Sequence, residues 1–213
     1  VFNRDRMPGP ILFKGIRIGL MICEDMWFPD VAESLQESGA QILIVINGSP
    51  FDQNKEDERL SVAVSRVVET NLPLVYVNQI GGQDELVFDG GSFALDASSK
   101  LCLQSSAWKE EINYIEIVNN NNDLFDISPS IINKISVGLE SKYHAMVLGL
   151  RDYVKKNKFK GVIIGLSGGI DSSLVSLLAS EQLNTPISLF HGKFAESSDY
   201  DESQFAKIIS DQI

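Results

Sequence analysis

The sequence predicts an α/β protein built in two successive parts. Three observations carry that reading. Between residues 16 and 77, short apolar runs alternate with stretches of helical spacing, the pattern of a layered α/β architecture. A polar run, Asn119-Asn120-Asn121-Asn122-Asp123, then interrupts the chain and has no means of building a core. Beyond it, Val162-Ile163-Ile164 leads through a glycine-rich turn into a helix, the opening of a doubly wound nucleotide domain.

In the first part, residues 16–23 read as one buried strand ending at Cys23, because the run from Ile16 is almost wholly apolar. A helix is expected from Pro29, whose fixed φ suits a first helical position, to Ser38, with Gly39 as its stop. Gln41 to Ile46 reads as a second strand and Leu72 to Val77 as a third. Between them, Lys55 to Thr70 has helical spacing, with Leu60, Val64, Val67 and Val68 on one side. After Gly81-Gly82 the texture changes to short strands at 85–88, 92–95, 101–104 and 112–118, the last alternating as an outer strand would. Residues 119–130 read as a linker between a first domain, 1–118, and a second, 131–213. In the second, helix is expected over 131–156, strand over 162–165, helix to about 183, strand over 187–190, and helix from about Asp199.

Composition narrows the function classes. The chain of 213 residues has 18 Lys and Arg against 29 Asp and Glu, a formal charge of -11. Such a surface argues against non-specific nucleic-acid binding and against an anionic membrane face. No apolar run reaches spanning length. Two cysteines, Cys23 and Cys102, and two histidines make a disulfide framework or zinc site unexpected, so a reducing cytoplasm is the expected setting. The chain opens on Val1 and its last residues read as helix, so an internal piece of a longer protein is expected.

The richest motif is Gly165-Leu166-Ser167-Gly168-Gly169-Ile170-Asp171-Ser172. Adjacent glycines let the backbone approach a bulky anion, and the helix start behind them offers free N–H groups. Ser167, Ser172 and Ser173 add hydroxyls, and Asp171 adds a carboxylate able to hold a cation that bridges phosphates. The plain alternative is a tight turn with a capping Asp. No Gly-Lys-Ser or Gly-Lys-Thr follows, so this is not a Walker loop. It resembles the SGGxDS loop of the ATP pyrophosphatases, which activate a substrate as its adenylate and release pyrophosphate. That resemblance implies ATP and Mg²⁺ as cofactors, with Asp171 on the metal.

Cys23 has two readings from its residues alone: a small core hydrophobe at a strand end, or a nucleophile. Its neighbourhood resembles a known family. Ile22-Cys23-Glu24-Asp25-Met26-Trp27 is similar to the nucleophile elbow of nitrilase-type amidases in the form used by glutamine-dependent NAD synthetases. Asn47-Gly48-Ser49-Pro50-Phe51 with Lys55 and Arg59, and Gly81-Gly82-Gln83-Asp84-Glu85-Leu86-Val87-Phe88-Asp89-Gly90-Gly91-Ser92, resemble two further signatures of those synthetases. Gly149 to Lys156 and the Gly165 loop resemble the opening of their synthetase domain. The fold implied is the C-terminal part of a nitrilase-like α-β-β-α sandwich, followed by the N-terminal part of a Rossmann-like adenine-nucleotide domain.

The resemblance implies a two-stage ligase. Cys23 attacks the side-chain amide of glutamine, with Ser49 and Lys55 contacting that substrate, and the ammonia amidates deamido-NAD through an adenylate. It also implies an oligomeric parent. Read without it, Ser49 is a turn serine before Pro50 and Lys55 a solvated helix-start lysine. The Glu and Lys that complete a nitrilase triad precede the cysteine, and Lys14 is the only lysine there, too near to match. Asp84, Glu85 and Asp89 are expected to be structural or interdomain rather than a metal site. His191 is expected to hydrogen-bond locally, and the 190–198 loop departs from the family pattern, with Lys193, Ser197 and Ser198 as loose substitutes. Two other functions stay open: a plain amidohydrolase, or a nucleotide-binding module without catalysis.

Overall fold

A computed structural model describes residues 7, 9–120, 124–182, 187–192 and 201–213. Lys193, Ser197 and Ser198 lie outside them. By contact the chain divides into two compact units, Val1–Gly81 with Leu86–Ala145, and Gly82–Glu85 with Met146–Ile213.

The first unit is built on a six-stranded sheet. It contains β1 (Ile11–Phe13), β2 (Ile16–Ile22), β3 (Ile42–Asn47), β4 (Leu74–Asn78), β7 (Phe93–Leu95) and β8 (Leu101–Gln104), in that spatial order. β2, β3 and β4 run parallel, while the other neighbours pair antiparallel. β1 is an element the sequence reading lacked. It joins β2 through Lys14 (φ 48°) and Gly15 (φ 85°), the two left-handed residues of a tight hairpin turn.

α1 (Pro29–Glu37) and α2 (Lys55–Thr70) supply the apolar cover of one sheet face. Ala32, Leu35, Ala63 and Val67 pack there with Met21, Leu43, Val45, Leu74, Tyr76 and Phe93. Alternation along each strand decides which residues take part, since side chains i and i+2 share a face. Gly19 permits the close approach of α1: a Cβ there would lie 2.9 Å from Leu43 Cδ2 and 3.2 Å from Leu35 Cβ. In α2 the buried stripe is Arg59, Ala63, Arg66, Val67 and Thr70. Val68, expected on the apolar side, is instead exposed, because it lies one position past that stripe. On the opposite sheet face, Ile18, Ile42, Ala94, Cys102, Leu103 and Ile127 form a second core.

The short strands differ from expectation. Gly81-Gly82 is not a break between textures but part of β5 (Ile80–Gln83), which forms a separate two-stranded sheet with β6 (Leu86–Asp89). Only β9 (Ile117–Asn119) forms within the expected 112–118 strand, and Ile112 and Tyr114 face solvent. Part of the expected 119–130 linker is structured: β10 (Phe125–Ile127) pairs antiparallel with β9, and Ile127 enters the second core. Residues 131–138 are not helical. Their backbone is drawn to β8, Gln104 N donating to Ile131 O at 2.9 Å and Asn133 N donating to Gln104 O at 3.0 Å. Helix begins after Gly138, as α3 (Leu139–Lys156).

The second unit holds the parallel pair β11 (Val162–Gly165) and β12 (Ile187–Phe190), with α4 (Ile170–Gln182) and α5 (Ser203–Ser210). Val154 and Ala179 form its core with Leu150, Val162, Ile164 and Ile187. The hairpin tip at Gly82 is clasped by α3. Gly82 N donates to Asp152 Oδ2 at 2.8 Å, and Lys156 Nζ donates to Gly82 O at 2.6 Å. No described helix is long and apolar enough to cross a membrane.

Candidate functional site

The parallel strands of the first unit end in register, Ile22 beside Ile46 and Asn47 beside Asn78. Cys23 lies one residue past β2. It does not end the strand, as the sequence suggested, but opens a single 3-10 turn over Cys23–Met26. Its φ is 50°, a left-handed conformation that costs a non-glycine residue about 1–2 kcal/mol. The turn is held against that strain by Asp25, whose Oδ2 accepts the Ile22 N–H at 2.8 Å, and by Trp27 N donating to Glu24 O at 2.9 Å. Arg66 Nη1 reaches Met26 O at 3.4 Å, while Arg66 Nε is buried without a partner. The Cys23 thiol is free and half-buried. Cys102 is fully buried, and burial pushes its thiol pKa up, so it behaves as a core residue.

A buried polar network lies along the same sheet edge. Arg59, only 3% exposed, is ion-paired with Asp89 through one nitrogen, Nη1 donating to Oδ1 at 3.0 Å and to Oδ2 at 2.9 Å. Its Nε donates to Ser49 Oγ at 3.0 Å, and its Nη2 donates to Ser49 O at 2.9 Å and Pro50 O at 2.8 Å. Asn78 closes the frame: its Oδ1 accepts from Ser49 N, and its Nδ2 donates to Ser49 O and Gly90 O. Tyr76 is buried beneath. Burial raises its hydroxyl pKa, Arg59 and a hydrogen bond shared with Ser49 oppose the rise, and Cys23 and Asp89 add to it. Cys23, Ser49 and Tyr76 therefore belong to one electrostatic neighbourhood.

Lys55 sits at the first turn of α2, its Nζ 4.3 Å from the Trp27 ring centre and 2.9 Å from Glu58 Oε2. That places a cation beside the turn carrying Cys23. Lys14 lies at the other end of β2, roughly 20 Å away at about 3.3 Å per residue. Asp84 and Glu85 are exposed at the hairpin tip, while Asp89 is committed to Arg59. Among the described residues, no group of three or more His, Cys, Asp and Glu could hold a metal.

The sequence reading gives Arg59, Asp89, Asn78 and Tyr76 no role in the site. A signal exists for one of them. Arg59 falls on the apolar stripe with Ala63 and Val67, and a charge at such a position needs a buried partner.

In the second unit, the predicted glycine loop links β11 to α4. Gly168 has φ 95°, and a Cβ there would lie 3.0 Å from Phe205 Cβ and 3.1 Å from Glu202 O. Leu166 is buried; its N–H donates to Phe190 O at 2.8 Å and its carbonyl meets His191 Nδ1 at 2.8 Å. It anchors the loop, and His191 bonds locally as expected. The hydroxyls bond within the loop. Ser167 Oγ and Ser172 Oγ are 3.1 Å apart, Gly169 N donates to Ser167 Oγ at 3.3 Å, and Ser173 Oγ donates to Gly169 O at 2.7 Å. Asp171 and Ile170 are exposed at the helix start, and Gly165 at the strand end.

Residues 3–121 match the carbon-nitrogen hydrolase family model, and they include the Cys23 turn and the Arg59 network. The chain belongs to the carbon-nitrogen hydrolase family. Residues 142–210, which hold the glycine loop, match NAD synthase. The chain is 40% identical over 183 residues to the glutamine-dependent NAD(+) synthetase of Rhodobacter capsulatus, covering 86% of itself and 33% of that protein. It is 35% identical over 176 residues to the enzyme of the same name from Acinetobacter baylyi, covering 80% of itself and 31% of that protein. The fold matches a solved structure of glutamine-dependent NAD+ synthetase from Acinetobacter baumannii in complex with ADP. The TM-score is 0.81 at 29% identity, over 93% of this chain and 37% of that one. This carbon-nitrogen hydrolase chain thus spans about a third of the length of the curated relatives it matches.

Proposed function

We propose that the chain is the central part of a glutamine-dependent NAD synthetase. Cys23 is the nucleophile of its glutaminase half. The thiolate adds to the side-chain amide carbon of glutamine, the C–N bond breaks as ammonia leaves with a proton, and water then hydrolyses the thioester to glutamate. The strained turn holds the sulfur beyond the sheet edge. Ser49 and Lys55 bind the glutamine, Lys55 offering a positive charge to its carboxylate.

The second half binds ATP through the backbone of Gly165, Leu166, Ser167, Gly168, Gly169, Ile170, Asp171 and Ser172, with the loop shaped by its own hydroxyl bonds. Asp171 would be one ligand of a Mg²⁺, which would neutralise phosphate charge. The carboxylate of deamido-NAD takes AMP from ATP, pyrophosphate leaves, and ammonia displaces AMP to give the amide. We assign residues 1–118 to the glutaminase domain, extend it through β10 and the 131–133 stretch that pair with it, and assign the residues from Met146 onward to the synthetase domain. The setting is a reducing cytoplasm, and the working form is a homo-oligomer.

The observation that carries this reading is the order of two matched families on one chain, with a left-handed cysteine in the first and a glycine loop in the second. Activity measured on the full-length protein tests it. Cys23→Ala is expected to abolish NAD formation from glutamine and to leave formation from ammonium intact, whereas Asp171→Ala is expected to abolish both. Glutamine use surviving in Cys23→Ala would remove the glutaminase assignment. Pyrophosphate release without deamido-NAD would remove the substrate.

A further inference from the structure

Ser49 is held more completely than a substrate-contacting serine requires for folding. Its backbone N–H is taken by Asn78 Oδ1 at 3.0 Å, and its carbonyl by Arg59 Nη2 at 2.9 Å and Asn78 Nδ2 at 3.2 Å. Its Oγ receives the Arg59 Nε–H at 3.0 Å. A guanidinium has five donors and no acceptor, so toward Arg59 the hydroxyl can only accept. One lone pair is thereby occupied, and the single hydroxyl hydrogen must point elsewhere. Tyr76 shares with Ser49 a hydrogen bond that lowers the phenol pKa, the sense in which the serine hydroxyl donates to the phenol oxygen, so without substrate the hydrogen rests on Tyr76. Because Arg59 can only donate to this hydroxyl, its hydrogen stays on the side away from the guanidinium, where an incoming acceptor oxygen can take it over from Tyr76.

What fixes this polarity is Asp89. Its two oxygens hold Arg59 Nη1 at 3.0 and 2.9 Å, both side chains are buried, and the fork has one orientation in which Nε meets Ser49. A buried ion pair is a poor way of stabilising a fold, since an apolar pair of similar volume does as well or better. Its value here is directional.

On the reading that Ser49 contacts glutamine, we infer that Arg59, clamped by Asp89, is a positioning residue that commits the Ser49 hydroxyl to donate to an acceptor oxygen of the substrate. Lysine at this position keeps the charge but loses the planar fork, so it cannot serve Asp89, Ser49 Oγ and the two carbonyls together.

The test is kinetic, on the full-length protein. Arg59→Lys is expected to raise the KM for glutamine roughly tenfold with kcat changed little, the signature of lost substrate binding, while the reaction fed with ammonium is unaltered. Ser49→Ala is expected to raise the same KM, and Arg59→Lys to add little in that background, because both remove one directed donor. An unchanged glutamine KM in Arg59→Lys, or full additivity of the two changes, overturns the inference. Where Arg59→Lys lowers the folded fraction in a thermal melt, Asp89→Asn gives the same readings, since it frees the fork without removing it. Glutamine use persisting in Cys23→Ala is a different failure, and it would remove the glutaminase reading itself.

Discussion

Two turns in this chain follow parallel strands, and they are held in opposite ways. The turn after β2 places a side chain, Cys23, in a left-handed conformation beside a frame of buried charges. The turn after β11 places glycine in the left-handed position and is stabilised by short bonds among its own serines. The difference follows from what each must present. On the proposed function the first turn presents a sulfur, and the frame of Ser49, Arg59, Asn78 and Asp89 beside it is buried. A phosphate cradle presents backbone N–H groups, so it needs close approach and little side-chain bulk.

The largest effect that sharpens this contrast is at Asp89. Removing its charge alone, as in Asp89→Leu, leaves Arg59 buried without a counter-ion and is expected to cost about 3–5 kcal/mol in urea denaturation. Replacing both, Arg59→Met with Asp89→Leu, is expected to recover most of that loss while glutamine use stays impaired. If the double variant remained as unstable as the single one, the loss would not come from the unpaired charge.

Next comes Gly168→Ala. Its new methyl meets Phe205 Cβ at 3.0 Å and Glu202 O at 3.1 Å, at a φ of 95°. The expected cost is roughly 1–3 kcal/mol, read as faster amide exchange in α4 and α5. Ser173→Ala removes one bond to Gly169 O and is expected to cost only about 0.5–1.5 kcal/mol by the same measurement.

The smallest effect is a pH dependence at Glu56. Its pKa is raised, first by burial and then by the nearby Asp57 and Asp89 charges, with Arg59 opposing. A carboxyl raised in the folded state keeps its proton longer there than in the unfolded chain. It therefore favours folding below its ordinary pKa, and that benefit is lost as pH rises through the raised value. Glu56→Gln is expected to flatten this loss slightly, visible as a small rise in melting temperature at neutral pH relative to pH 4. A variant melting lower at neutral pH would mean that Glu56 is stabilised by a partner.

Much of the fold is legible in the residues because the strong signals are local. Pro29 opens α1 and Gly39 follows it with φ 87°, as their backbone preferences require. The apolar runs at 16–23, 41–46 and 72–77 read as strands, within a residue or two of those that form, because both sheet faces are covered there. The failures lie where pairing decides. β10 looks like linker because three residues with little pattern become a strand only when β9 offers its edge. Residues 131–133 read as helical because the competing partner, Gln104, is distant in sequence.

By itself, the sequence determined that this is an α/β protein with a glycine loop between strand and helix and a cysteine at the end of an apolar run. Those features depend on neighbours a few residues apart, and local backbone preference reports them. Only the tertiary structure decided that Arg59 and Asp89 share a buried bond across 30 positions, that Ser49 is fixed by both Arg59 and Asn78, and that Cys23 adopts φ 50°. A charged residue in a sequence is an exposed residue until its partner is known. Packing supplied the partner.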